Sequence, residues 1–113
     1  MAIAVASITT PGYTNNVTEI VATHPSGLAA GDLMIAHLHL YHSAARTWDD
    51  IAGWTLIGEV TQTTNTAATQ VMWKLASAGD VSAGSTTFTI SGGTTDRAAV
   101  AIYRITGHNP NST

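Results

Sequence analysis

Apolar side chains recur at every second position through seven segments of this 113-residue chain, and no stretch carries the 3.6-residue stripe of an amphipathic helix. Period two is the spacing of a strand, whose successive side chains point to opposite faces, so the pattern demands sheets with a buried side. The predicted strands cover Ile3–Ile8, Val17–Thr23, Asp32–His42, Trp54 to about Gln62, Thr69–Leu75, Thr86–Ser91 and Arg97–Thr106. Turn signals separate them: Pro11-Gly12 with Asn15-Asn16, Pro25-Ser26-Gly27, Ala30-Gly31 and Gly92-Gly93.

Within Asp32–His42 the alternation sets Leu33, Ile35, His37, His39 and Tyr41 on one face. Met34, Ala36, Leu38, Leu40 and His42 lie on the other, which reads as core. In the fourth segment Trp54, Leu56 and Val60 share a phase; in the fifth, Val71, Trp73 and Leu75 oppose Gln70, Met72 and Lys74. Phe88 and Ile90 are expected to point inward. Arg97–Thr106 is apolar on both faces, as an inner strand would be. Ser77 to Gly84 reads as a loop with room for one helical turn.

The predicted fold is an all-β antiparallel sandwich of about seven strands, jelly-roll or immunoglobulin-like in order; alternation does not separate the two orders. One domain over residues 1–107 is expected, with 108–113 as a loosely held tail.

Composition agrees with strands. Only 10 % of residues are charged while 44 % are hydrophobic, whereas surface helices recruit Lys, Glu and Arg. A formal net charge of -3, with Arg46, Lys74, Arg97 and Arg104 as the fixed cations, leaves no basic patch to neutralise a run of phosphates. Nucleic acid is therefore excluded as an expected partner. There is no cysteine, hence no disulfide or thiolate metal site. Met1–Ile8 lacks the basic start and sustained apolar run of a secretory signal, so release by lysis or within a particle is the expectation. The run Leu33–Tyr41, broken by His37 and His39, is far below the ~20 residues that span a bilayer, and no membrane partner is expected.

Catalytic chemistry finds no foothold. There is no Gly-x-Ser-x-Gly elbow, and Gly92-Gly93 leads into no helix that could face a phosphate. Asn16-Val17-Thr18 and Asn111-Ser112-Thr113 match a glycosylation pattern that matters only on a eukaryotic secretory route, and both read as coincidence. The remaining candidates are binding residues. His37 and His39, two apart on a strand, project both imidazoles to one side, a geometry suited to Zn²⁺ or Cu²⁺, but no second pair with ligand spacing exists, so an exposed face or subunit contact is the reading and no metal is assigned. Asp49 and Asp50 beside Trp48, in the polar loop Ser43 to Gly53, suggest a Ca²⁺ or sugar site with Trp48 as stacking platform and Tyr41 nearby. A lone acidic pair lacks the periodic oxygens of a calcium loop, which favours a solvated turn. Trp54, Trp73, Phe88 and Tyr103 follow the strand phase and read as core or sheet-face residues, with Trp48 the exception.

Four stretches carry a resemblance: Gly31-Asp32-Leu33-Met34-Ile35-Ala36, Gly53-Trp54-Thr55-Leu56-Ile57-Gly58, Val71-Met72-Trp73-Lys74-Leu75-Ala76, and Ala99-Val100-Ala101-Ile102-Tyr103-Arg104-Ile105-Thr106-Gly107. From about Val17 to Pro110 the chain resembles a β-sandwich family of tailed-phage structural proteins and bacterial surface proteins. The resemblance implies a virion component, a capsid decoration protein or a tail or fibre domain, without enzymatic activity or cofactor. It implies other virion proteins as partners, a homo-oligomer, and an edge completed by another subunit or a shortened chain, since similar sequences continue past the equivalent of Gly107. The alternative is an adhesive, glycan-binding module at the cell surface.

Overall fold

In a computed structural model, described for residues 3–9, 16–42, 46–61, 67–94 and 97–108, the chain forms two antiparallel sheets packed as a sandwich, with one short helix. The elements are β1 (Ala4–Thr9), β2 (Glu19–Thr23), β3 (Leu33–Tyr41), β4 (Thr47–Trp48), β5 (Thr55–Thr61), β6 (Ala67–Leu75), α1 (Ala78–Ala83), β7 (Ser85–Ser91) and β8 (Arg97–Thr106). One sheet has the order β1-β8-β3-β6-β5 and the other β2-β7-β4. The predicted turn at Pro11-Gly12 and the tail from Asn109 onward lie outside the described residues.

The strand order settles what alternation left open. The two ends of the chain pair inward, β1 with β8, β2 with β7 and β3 with β6, which is the wound antiparallel ribbon of a jelly roll. An immunoglobulin order would place β1 and β2 side by side, and here they belong to different sheets. β5 departs from the ribbon: it pairs with β6 at the edge of the larger sheet and leaves β4 as the edge of the smaller one.

The core fills the space between the sheets. Met34, Ala36, Leu38 and Leu40 of β3 are fully buried, with Met72 of β6 and Val100 and Ile102 of β8 beside them. Ile20, Ala22, Phe88, Ile90 and Trp48 answer from the smaller sheet. Trp54 closes one end and meets Phe88 edge to face, ring centroids 5.7 Å apart at 63°.

The structure corrects the sequence reading in three places. Among the described residues there are eight strands rather than seven, because the polar loop before Gly53 contains the two-residue β4, too short to leave a pattern. β5 carries a bulge at Ile57, which puts Leu56 on the inner side of the sheet opposite Met72, exposed there because β5 is the edge strand, and Val60 on the outer side opposite Thr69. Leu56 and Val60 therefore do not share a face. Trp48, expected on the surface, is a core residue only 6 % exposed, because β4 pairs with β7 and turns the indole inward opposite Ile90.

The helix forms for local reasons. Ser77 Oγ accepts from the Asp80 N–H at 3.1 Å while the Asp80 carboxylate accepts from the Ser77 N–H at 2.8 Å, a reciprocal capping box. Gly84, at φ 73°, ends the turn in the left-handed region that glycine enters without a steric penalty.

Candidate functional site

A jelly roll has two outer faces, and in this chain they differ in chemistry. The smaller sheet presents Glu19, Val21 and Thr23 beside Thr87, Thr89, Ser85 and Ser91, an outward row dressed mostly with hydroxyls. The larger sheet is the opposite. Its register aligns Ile8, Tyr103, Ile35, Trp73 and Thr55 in one row across all five strands. Val5, Ile105, Leu33 and Leu75 form the row beside it, and on the other side Ala101, His37, Val71 and Gly58 form the next. Side chains directly opposite on one face touch, so the first two rows are apolar bands, the first ending on Thr55 at β5, while His37 interrupts the third. Ile105 is only 8 % exposed although it points away from the core, covered by its neighbours on the same face.

The far end of this face is polar. His37, His39 and Tyr41 project from β3 to the same side and are exposed, as the alternation predicts. His39 Nδ1 and Thr69 Oγ1 share a hydrogen bond of 2.8 Å across the strands. The residues in register beside the histidines are Ala101 and Val71 for His37, and Ala99 and Thr69 for His39, none of them a metal ligand. Among the described residues no group of three or more His, Cys, Asp or Glu stands close enough to hold an ion.

Trp48 does not join this cluster, since it points into the core from the other sheet. The glycan site imagined around Trp48, Tyr41 and the histidines is therefore not assembled. Asp49 has a structural occupation: its carboxylate accepts from Thr89 Oγ1 at 2.9 Å and from Ser91 Oγ, and its N–H donates to the Thr89 carbonyl at 2.9 Å. It clamps the chain after β4 onto β7. Asp50 is exposed.

An open apolar groove of about 310 Å³ runs along the β5 side of the same face, between Ile57, Val60 and Val71. It exists because Gly58 has no side chain where the row beside Val71 would otherwise be filled, and a Cβ built there meets nothing within 4 Å. Exposed large apolar side chains gather at the two edges of this sheet, Ile3, Val5 and Ile8 at β1 and Leu56, Ile57 and Val60 on β5; Val21, Tyr41 and Val81 are the others among the described residues.

The sandwich end opposite the histidines is closed by charge. Lys74 and Arg104 occupy the inward register positions on either side of Met34. Lys74 Nζ donates to Asp80 at 2.9 Å and Arg104 Nε to Asp32 at 2.7 Å. Burial alone would raise the Asp32 carboxyl, but the Arg104 hydrogen bond, the Ala29 amide and the guanidinium charge outweigh it and hold the group below its ordinary value. Asp80 behaves alike: burial raises it, and the Ser77 amide, Lys74 and the Ser77 hydroxyl bring it below the usual range. His24 is buried against this helix, its Nδ1 3.0 Å from the Asp80 carbonyl and its Nε2 2.7 Å from Thr86 Oγ1. A carbonyl only accepts, so Nδ1 carries the proton, and in the neutral ring Nε2 accepts from the threonine hydroxyl.

Sequence reasoning missed the apolar outward face, although its signal was present in the apolar residues on both phases of β8 and of β6. It missed His24 for want of any signal, since both partners of the ring are more than fifty positions away. Comparison with protein-family models, with curated proteins and with solved structures finds no match to this chain. The class that the coordinates define is an antiparallel β-sandwich of a five-stranded and a three-stranded sheet.

Proposed function

We propose that this chain is a docking module of a bacteriophage particle, a capsid decoration or tail-associated sandwich that binds other virion proteins and carries out no catalysis. The observation that carries the reading is the character of the two edges of the five-stranded sheet. β1 has neither a charged residue nor a proline, and the large apolar side chains at β1 and on β5 stand in solvent. Proteins that stay alone usually protect such edges with lysine, proline or a covering element, and an unprotected edge is a template for another chain. The virion setting is proposed from the resemblance read in the four sequence stretches alone, with a cell-surface adhesin as the related alternative.

The test is co-sedimentation of the purified chain with phage particles of its source. Saturable binding is expected, weakened when a charge is placed at either edge by Ile3→Lys or Ile57→Lys while the circular-dichroism spectrum stays that of the parent. Wild-type protein that remains in the supernatant at every concentration overturns the reading. A glycan-binding role for Tyr41, His37 and His39 would instead appear as binding to immobilised sugars that Tyr41→Ala removes.

A further inference from the structure

We propose that two copies of this chain pack face to face through the outward side of the five-stranded sheet, building a four-layered sandwich about a two-fold axis. The inference goes beyond the docking reading, which uses the sheet edges and a different partner. Three observations carry it.

Chemistry comes first. The smaller sheet has the outward dressing expected of a face in water, chiefly threonine and serine with Glu19. The larger sheet instead turns out Trp73, Ile35, Tyr103, Leu33 and Val71 in adjoining rows, each half-buried by its neighbours. Apolar patches of this extent, rimmed by polar residues, are interaction sites in soluble proteins.

Charge comes second. The outward positions of β3, β6 and β8 hold no carboxylate, and Arg97, at the far end, is their one fixed charge. A surface that meets its own copy across a two-fold axis brings like charges together, so a face with a neutral centre is the kind that tolerates self-apposition.

Area comes third. Five strands about 4.8 Å apart, with a nine-residue central strand rising about 3.3 Å per residue, cover roughly 24 by 30 Å, or about 700 Å². A standard interface buries about 800 Å² on each partner, and side-chain relief brings this face to that size. Two such faces would pack about 10 Å apart with interdigitated side chains, as the two sheets of one chain do.

The experiment is sedimentation equilibrium of the purified protein alone at micromolar concentrations. Twice the 11.7 kDa of one chain is expected, with Trp73→Lys and Val71→Lys each raising the dimer dissociation constant about tenfold or more. Val21→Lys, on the outward side of the smaller sheet, is expected to leave the dimer intact. Should Trp73→Lys fail to fold, Val71→Lys, which replaces a smaller outward side chain, carries the test. A wild-type monomer throughout the range overturns the proposal, as does a dimer that ignores Val71→Lys or is broken by Val21→Lys. Because no particle is present, this result is independent of the docking test.

Discussion

Arg104 Nε lies 2.7 Å from Asp32 Oδ2, joining the last strand to the residue that opens the third, 72 positions earlier. Asp32 also accepts from the Ala29 N–H at 3.0 Å, so one carboxylate shapes the turn before β3 and fastens β8 to it. Both side chains are about four-fifths covered, which places the pair between the exposed ion pairs that contribute little and the buried ones that are costly to break. With Lys74 and Asp80 it closes the end of the sandwich at which Met34 sits.

Asp32→Asn and Arg104→Met are each expected to lower unfolding stability by about 1–2 kcal/mol, the scale of a charge-assisted hydrogen bond. The double variant should lose less than the sum of the two. Urea unfolding of the four proteins reads the coupling directly, and additive losses would mean that the pair contributes nothing as a pair.

Acid should destabilise the protein over a defined window. The Asp32 and Asp80 carboxyls are both held below the ordinary value of 3.8 in the folded state. A lowered folded value means that the native state binds protons less readily than the unfolded one, so this stabilisation is complete above 3.8 and disappears as pH falls through the lower folded values. These two groups leave stability unchanged between neutrality and about pH 5 and subtract from it below about pH 4. Thermal unfolding across that range should show Asp32→Asn and Asp80→Asn each with a shallower acid decline than the parent.

Ser77→Ala removes the hydroxyl that caps α1 and is expected to cost about 1 kcal/mol. The effect should reach His24, whose ring is anchored on the Asp80 carbonyl of the same turn. Faster hydrogen exchange of the His24 amide, which donates to the Gly84 carbonyl at 2.8 Å, would register the loosening. An unchanged rate would separate the cap from the histidine.

Gln70 points into the core from β6, is 2 % exposed and leaves its Nε2 without a hydrogen-bond partner. A buried donor without an acceptor is destabilising, and methionine fills a similar volume without that cost. Gln70→Met is expected to raise stability by about 1 kcal/mol in urea unfolding. A loss of comparable size would mean that the amide is satisfied in solution.

Much of the architecture was legible because it is local. Period two survives in any strand whose backbone stays regular, so spacing alone assigns Met34, Ala36, Leu38 and Leu40 to the core and His37, His39 and Tyr41 to one outward side. Two apolar faces mark Arg97–Thr106 as an inner strand, and it lies between β1 and β3. β4 escaped because two residues make no pattern, and with it went the placement of Trp48. A single bulge at Ile57 was enough to separate Leu56 from Val60, since one added residue reverses every side chain beyond it.

By itself, then, the order of residues determined where strands run, which side chains share a face wherever no bulge intervenes, and that two sheets must stack. Only the tertiary structure decided the jelly-roll order, the inward turn of Trp48, the meeting of Asp32 with Arg104, and the outward turn of Trp73 in its apolar row. The reason is physical. Alternation is a property of neighbouring residues, whereas the choice of which apolar face turns inward, and which charge meets which, depends on what the rest of the chain brings to the other side.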